Sequence, residues 1–262
     1  MKAIKYIFIC MILFTSCEQI IELDLNENTS QIVIEGNITD QSGPYFVKIT
    51  KSTPISEQNN PPTIDNAEVT ISDDQGYSEM LEFIGNGVYQ TKKLQGVSGR
   101  TYSLTVKAES KIYTAQSKMP VLVVLDSLKI VTSSFGGEID YDFIPVYTDL
   151  ASIGDHYRFI LSINGKQMKS HFVLNDNIEN GSVNSQHLQN IMDLSLIIGD
   201  QVTIQMQKID ANVGLYYATL VQNTDTGPGG GTTPSNPPNN ISNGALGVFS
   251  AHTVQEKSAV IK

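Results

Sequence analysis

From Gln31 to Lys118 the chain is cut every few residues by turn formers, and between the cuts apolar and polar side chains alternate. A period of two sends every second side chain to one face, the pattern of half-buried strands. "QIVIEGNI" (31–38) is the first such run. "YFVKIT" (45–50) sets Tyr45, Val47 and Ile49 against Phe46, Lys48 and Thr50, and "AEVTIS" (67–72) puts Val69 and Ile71 on one face. "SEMLEFI" (78–84) runs back as one strand, followed by "VYQTK" (88–92), "TYSLTVKA" (101–108) and "KIYTAQSK" (111–118). "DDQG" (73–76) and "GNG" (85–87) supply tight turns. Seven or eight short strands in this span predict an immunoglobulin-like or transthyretin-like β-sandwich over residues 31–118. The Cys…Trp…Cys signature of antibody domains is absent, because the chain has no Trp. The Pro/Asn-rich "SEQNNPPT" (56–63) predicts an exposed connection.

Pro120 ends this pattern, and "MPVLVVLDSL" (119–128) opens a new apolar run. A domain boundary is placed there, with a second β-rich domain over 119–262. Strands are predicted at 142–149, 156–165, 166–175 and 200–210, with Asn164-Gly165 as a hairpin turn. In "ANVGLYYATLVQ" (211–222) the period changes. Val213, Tyr216, Tyr217, Leu220 and Val221 form a helical stripe with Asp210 as N-cap, and Gly214 weakens it. Eight of the eighteen residues from 223 to 240 are Gly or Pro, which excludes a regular element. Pro237, Pro238, Asn239 and Asn240 in this loop are a candidate contact segment. "ISNGALGVFSAHTVQ" (241–255) and "SAVIK" then predict a final hairpin.

The first residues are not part of this fold. Lys2 and Lys5 precede a nine-residue apolar run, Tyr6–Phe14, then Thr15, Ser16 and Cys17. That is the layout of a signal peptide over residues 1–16, with an apolar run too short to span a bilayer. "LFTSC" resembles the bacterial lipobox, with Phe14 where Leu is usual, which makes Cys17 the acylated first residue of the mature chain. The other cysteine, Cys10, leaves with the signal peptide, so no free thiol and no disulfide are expected. Residues 17–30 form the lipid-anchored segment. Its Glu18, Glu22, Asp24 and Glu27 resemble a surface-sorting signal of Bacteroidota lipoproteins. "IELDL" (21–25) also reads as a strand with Ile21, Leu23 and Leu25 inward. Both readings stand.

The formal charge is −10, and it becomes −12 once Lys2 and Lys5 are removed. With no Lys/Arg cluster beyond Lys92-Lys93, nucleic acid is excluded as a partner. His156, His171, His187 and His252 are scattered, and no zinc motif is present. "GVSGR" (96–100) fails the nucleophile-elbow pattern at Arg100. "SDDQG" (72–76) lacks the spaced ligands of a calcium loop and reads as a hairpin turn. Neither Glu22/Asp24 nor Asp140/Asp142 supplies two carboxylates flanking a cleft. No metal, cofactor or catalytic residue is expected. The eleven Tyr and nine Phe fall mostly at inward strand positions, and Tyr216-Tyr217 is the pair to inspect for exposure.

"CEQIIELDL", "IVIEGNITDQSGPYFVKITKS", "AEVTISDDQG", "GVYQTKKLQGVSGRTYSLTV" and "PSNPPNNISNGALGVFSAH" occur in this order. As a set they resemble a Bacteroidota lipoprotein family, the domain-of-unknown-function family four-two-four-nine, across nearly the whole mature chain. Members of that family tend to be encoded beside TonB-dependent receptors. The resemblance therefore implies an accessory outer-membrane lipoprotein of a nutrient-uptake system with a TonB-dependent receptor as partner; the lack of catalytic motifs makes the expected role non-enzymatic, and the acids after Cys17 favour the cell surface over the periplasmic face. It brings no catalytic residues. The alternatives are a stand-alone glycan- or peptide-binding lipoprotein and, last, a secreted hydrolase.

Overall fold

The computed structural model describes residues 30–53, 60–135, 138–175, 180–188, 196–224 and 236–262. Cys17, Glu22, Asp24 and the "IELDL" segment lie outside these residues, as does most of the Gly/Pro-rich loop. Eight strands make the first unit: β1 (Ile32–Thr39), β2 (Phe46–Lys51), β3 (Glu68–Asp73), β4 (Ser78–Met80), β5 (Glu82–Gly85), β6 (Val88–Gln90), β7 (Thr101–Ala108) and β8 (Lys111–Lys118). One layer runs β1-β2-β6-β5 and the other β4-β3-β7-β8. This is the strand distribution of an immunoglobulin-type sandwich.

Burial follows the alternation. Ile32, Ile34 and Ile38 of β1, Val47 and Ile49 of β2, Val69 and Ile71 of β3, and Tyr102, Leu104 and Val106 of β7 fill one core. Gly36 takes the remaining inward place on β1, and the Phe249 ring occupies the space its missing side chain leaves. Three tyrosines bury their rings and tie loops with their hydroxyls. Tyr45 accepts from Gly96 N, Tyr89 accepts from Ala67 N and donates to Ile64 O, and Tyr102 accepts from Val97 N at 2.7 Å. The Tyr102 contact is the tyrosine corner of immunoglobulin folds, and Leu104 stands two residues on, where antibody domains place a cysteine. "GVSGR" is that corner loop. A Cβ on Gly96 would sit 1.9 Å from Thr39 O, so only glycine fits there.

The segment 78–84 departs from the single strand predicted for it. Leu81 is buried and bends the chain from one layer to the other, so β4 pairs with β3 and β5 with β6. Alternation records which face a side chain takes. It is silent on a change of sheet.

The second unit holds β9 (Leu125–Phe135), β10 (Glu138–Tyr147), β11 (His156–Ile163), β12 (Lys166–Asn175), β13 (Gln201–Ile209), helix α1 (Ala211–Thr224) and β14 (Leu246–Val260). β9 and β10 form a hairpin that packs over β12-β11-β13-β14. Leu125, Leu128, Phe143 and Tyr147 of the hairpin meet Tyr157, Phe159, Leu161, Val202, Ile204 and Met206 in a second core.

The chain's end is not a hairpin. β14 is one strand of 15 residues, roughly 50 Å long. Its first half pairs in parallel with β1, and its second half pairs antiparallel with β13. One eight-stranded sheet, β12-β11-β13-β14-β1-β2-β6-β5, therefore crosses both units. Ile241, Ala245, Phe249 and Ala251, read from sequence as part of the second domain, belong to the first core. β14 also covers the edge of β1, which would otherwise expose a row of unpaired backbone groups.

Candidate functional site

Helix α1 lies on the outer face of the shared sheet, against β11, β12 and β14. Asp210 starts it as the sequence predicts. Its Oδ1 accepts from Val213 N at 3.1 Å, and Ser117 Oγ of β8 donates to its Oδ2, so the cap also pins the helix to the first unit. Gly214 has a packing reason: a Cβ there would lie 2.6 Å from the His156 ring. Val213 is fully buried against Ile209 and Val248, with Tyr216 and Tyr217 packed around them.

The two tyrosines meet edge to face, with ring centroids 5.2 Å apart. Arg158 of β11 lies under them, its guanidinium carbon 3.9 Å from the centroid of the Tyr217 ring. Burial lowers the Arg158 pKa, and it raises those of both tyrosines. From Arg158 a polar ladder crosses the sheet. Arg158 Nη1 donates to Gln207 Oε1 at 3.1 Å, Gln207 Nε2 to Gln205 Oε1 at 2.7 Å, and Gln205 Nε2 to Glu256 Oε1 at 2.7 Å. These side chains share one face because they sit at every second position of neighbouring strands.

His252 and Ser250 of β14 lie buried on this face, with Ser250 Oγ 2.9 Å from His252 Nδ1. The pair has the composition of a nucleophile and base but not the electrostatics. Desolvation, reinforced by the Arg158 charge, pushes His252 down to about 3. An imidazole neutral and that weakly basic takes no proton from serine near neutral pH. The face offers hydrogen-bond donors, acceptors and an aromatic platform, which suits recognition more than bond-making.

The other sequence-marked groups are dispersed. His187 Nδ1 lies 3.2 Å from Asp142 Oδ2, and His156 Nδ1 is 2.9 Å from Gly154 O. Asp140 is exposed, and His171 lies in β12. In "SDDQG", Asp73 Oδ1 accepts from Gln75 N and Tyr77 N, a turn-closing role. Among the described residues no group of three His, Cys, Asp or Glu is placed to hold a metal.

The candidate contact segment divides in two. Asn240 donates to Gln116 O and Phe249 O and accepts from Phe249 N; Asn239 donates to Ala245 O and accepts from Ile241 N. The Asn240 amide holds the segment to β8 and β14, and the Asn239 amide closes the turn that leads into β14. Pro238 stays exposed and Pro237 is half-buried. An open cleft of about 400 Å³ lies between Gly43-Pro44 and residues 90–95. The backbone donors of Lys92, Lys93 and Leu94 along it are taken by the Glu79 carboxylate.

Two features carried no signal in the sequence. The turn after residue 196 is locked by Asp200 Oδ2 accepting from Ile197 N, by Asn164 donating to Asp200 Oδ1, and by Gly199 N donating to Ile261 O. This hydrogen-bonded tip presents Ile197 and Ile198, 68% and 77% exposed, and Val260 is exposed as well. The second is a buried charge. Lys208 of β13 is almost wholly enclosed, its Nζ 3.0 Å from Asp155 Oδ2. Nearby, the Tyr157 hydroxyl donates to Asp149 Oδ1 inside the second core.

Comparison with curated proteins returns no match. Solved structures that are similar include a two-domain fibronectin type III segment of chicken tenascin, 15% identical, covering 70% of this chain and 92% of that one at a TM-score of 0.22. Another is the chicken interferon gamma receptor alpha chain, 10% identical, covering 70% and 91% at a TM-score of 0.19. At such TM-scores neither describes the arrangement of this chain. The family model for "Domain of unknown function (DUF4249)" matches residues 18–258, and the protein belongs to that family.

Proposed function

We propose that this protein is a non-enzymatic lipoprotein of the outer membrane, held by lipid on Cys17 and displayed at the cell surface, where it serves a TonB-dependent receptor in nutrient uptake. The lipobox-like "LFTSC" supports the anchor. Among the described residues no helix is long and apolar enough to cross a membrane.

The observation that carries the docking role is the isoleucine tip. β1 begins beside the start of β14, and the tip lies at the far end of β14, roughly 50 Å away. Entry of the described chain into β1 at one end and a hydrogen-bonded apolar tip at the other suit a protein that reaches a partner's extracellular face. Exposed isoleucines on a hydrogen-bonded turn cost free energy in water and recover it in an interface.

The test is co-purification in detergent with the receptor encoded beside it. Wild type should hold the receptor, and the double variant Ile197→Asp, Ile198→Asp should release it with its melting temperature unchanged. Reproducible failure of wild type to co-purify, with both proteins expressed, would overturn the reading.

A second reading, direct glycan or peptide capture, is favoured by the ladder from Arg158 to Glu256 beneath Tyr217. It requires a ligand-dependent rise in melting temperature that disappears in Gln205→Ala.

A further inference from the structure

An amine seldom ends a core-facing strand. On β13 the inward positions are Val202, Ile204, Met206 and then Lys208. The Lys208 side chain is 2% exposed, and its Nζ lies 5.6 Å from the centroid of the fully buried Tyr157 ring. Its partner Asp155, 16% exposed, stands immediately before β11. In the antiparallel register Tyr157 faces Lys208 and His156 faces Ile209, so Asp155 reaches Lys208 diagonally from the end of the ladder. Ser152 Oγ also approaches Asp155 Oδ2, at 3.4 Å.

A third group completes the cluster. Asp149 is 7% exposed, and its Oδ1 accepts from the Tyr157 hydroxyl. Its Oδ2 is buried with no hydrogen-bond partner among the described residues. Asp149 holds the Tyr157 hydroxyl, while Lys208 with its partner Asp155 lies beside the ring of the same phenol. A plain ion pair accounts for Lys208 and Asp155. It does not account for a second buried carboxylate with an open oxygen.

We propose that Lys208 and Asp155 condense to an intramolecular isopeptide bond, with Asp149 acting as a positioning residue through the Tyr157 hydroxyl. The bond from Nζ to Cγ of Asp155 forms, and one Cγ–O bond of Asp155 breaks. Two of the three ammonium protons leave with that oxygen as a water molecule, and the third stays on the amide nitrogen. Both protons pass from the nitrogen to the departing oxygen across the 3.0 Å contact, and Asp149 undergoes no bond change. The reaction needs no oxidant, reductant or activated donor. Groups fixed in contact act at effective concentrations of about 10⁵–10⁸ M. Exclusion of water opposes the reverse hydrolysis, and conversion to an amide removes two buried charges. The product is a covalent clasp between the end of β13 and the start of β11.

Peptide mapping by mass spectrometry on the folded, full-length protein tests this. Trypsin should fail to cut after Lys208, and a branched peptide should join the Asp155 and Lys208 segments at about 18 Da below their summed mass. Lys208→Arg and Asp155→Ala should each give linear peptides only. Asp149→Ala keeps both reacting groups but frees the Tyr157 hydroxyl beside them, and should slow linkage relative to wild type. Linear peptides of unaltered mass, cut after Lys208, from native wild type would overturn the proposal. Full linkage in Asp149→Ala would remove Asp149 from it.

Discussion

Phe249→Ala tests whether the shared strand makes the two units one cooperative structure. Phe249 is fully buried in the first half of β14, and its ring lies over Gly36 of β1. A Cβ built on Gly36 would lie 3.1 Å from both Phe249 Cδ2 and Val47 Cγ2, so these two side chains fill that space together. Truncation leaves a hole whose floor is a glycine and whose walls are strands fixed by backbone ladders, so collapse is limited. A Phe→Ala change at such a site costs about 3–5 kcal/mol. For a chain of this size each kcal/mol lowers the melting temperature by about 2–4 °C, which gives a fall of roughly 6–20 °C. The lesion sits in the first core, yet the same strand continues into the ladder with β13. Calorimetry should therefore show one transition moved down as a whole, and hydrogen exchange should quicken at β13 and β11 amides as well as at β1. Two transitions, with the one assigned to β11 and β13 unmoved, would refute the coupling. A fall below about 2 °C would refute the packing argument.

Tyr102→Phe should cost about 1–3 kcal/mol in urea denaturation, because Val97 N loses its acceptor in a part-buried corner; an unchanged midpoint would remove the corner's role. Asp210→Ala deletes the cap of α1 and the acceptor for Ser117, and should cost about 0.5–2 kcal/mol with faster exchange confined mainly to the first turn of α1. His252 predicts an acid-sensitive fold. The unfolded imidazole binds a proton near pH 6.5, while burial beside Arg158 holds the folded one down to about 3. The stability it contributes is present above pH 6.5 and is lost as pH falls through that window. His252→Gln should flatten the dependence of stability on pH between about 6.5 and 5, above the range of most carboxylates; an identical slope would count against the assignment.

The residues before Lys118 announced their strands because each side chain's face is a local property. Val47 and Ile49, Val69 and Ile71, and the whole of β7 and β8 are where a period of two puts them, and the turns at Asp73–Gly76 and Asn86-Gly87 carry residues suited to them. Asp210 and the stripe from Val213 to Val221 marked α1 in the same way. Tyr216 and Tyr217 were visible as a pair, but Arg158 beneath Tyr217 was not, because a strand residue acquires its partner only when another element packs on its face. Lys208 was equally opaque: at the end of an alternating run a lysine looks like a solvated terminus until Asp155 and Tyr157 arrive from β11 and its preceding loop. The isoleucine tip gained its significance only from its position in space.

What the sequence determined by itself was the succession of elements, the inward face of each strand and the cap of the helix, since these depend on neighbours a few residues apart. Only the tertiary structure decided that 78–84 changes sheets at Leu81 and that one strand closes the chain by joining β1 to β13. Those are pairings between residues far apart in the chain. Backbone hydrogen bonds are chemically alike at every position, so no local pattern of side chains specifies which distant edge will receive them.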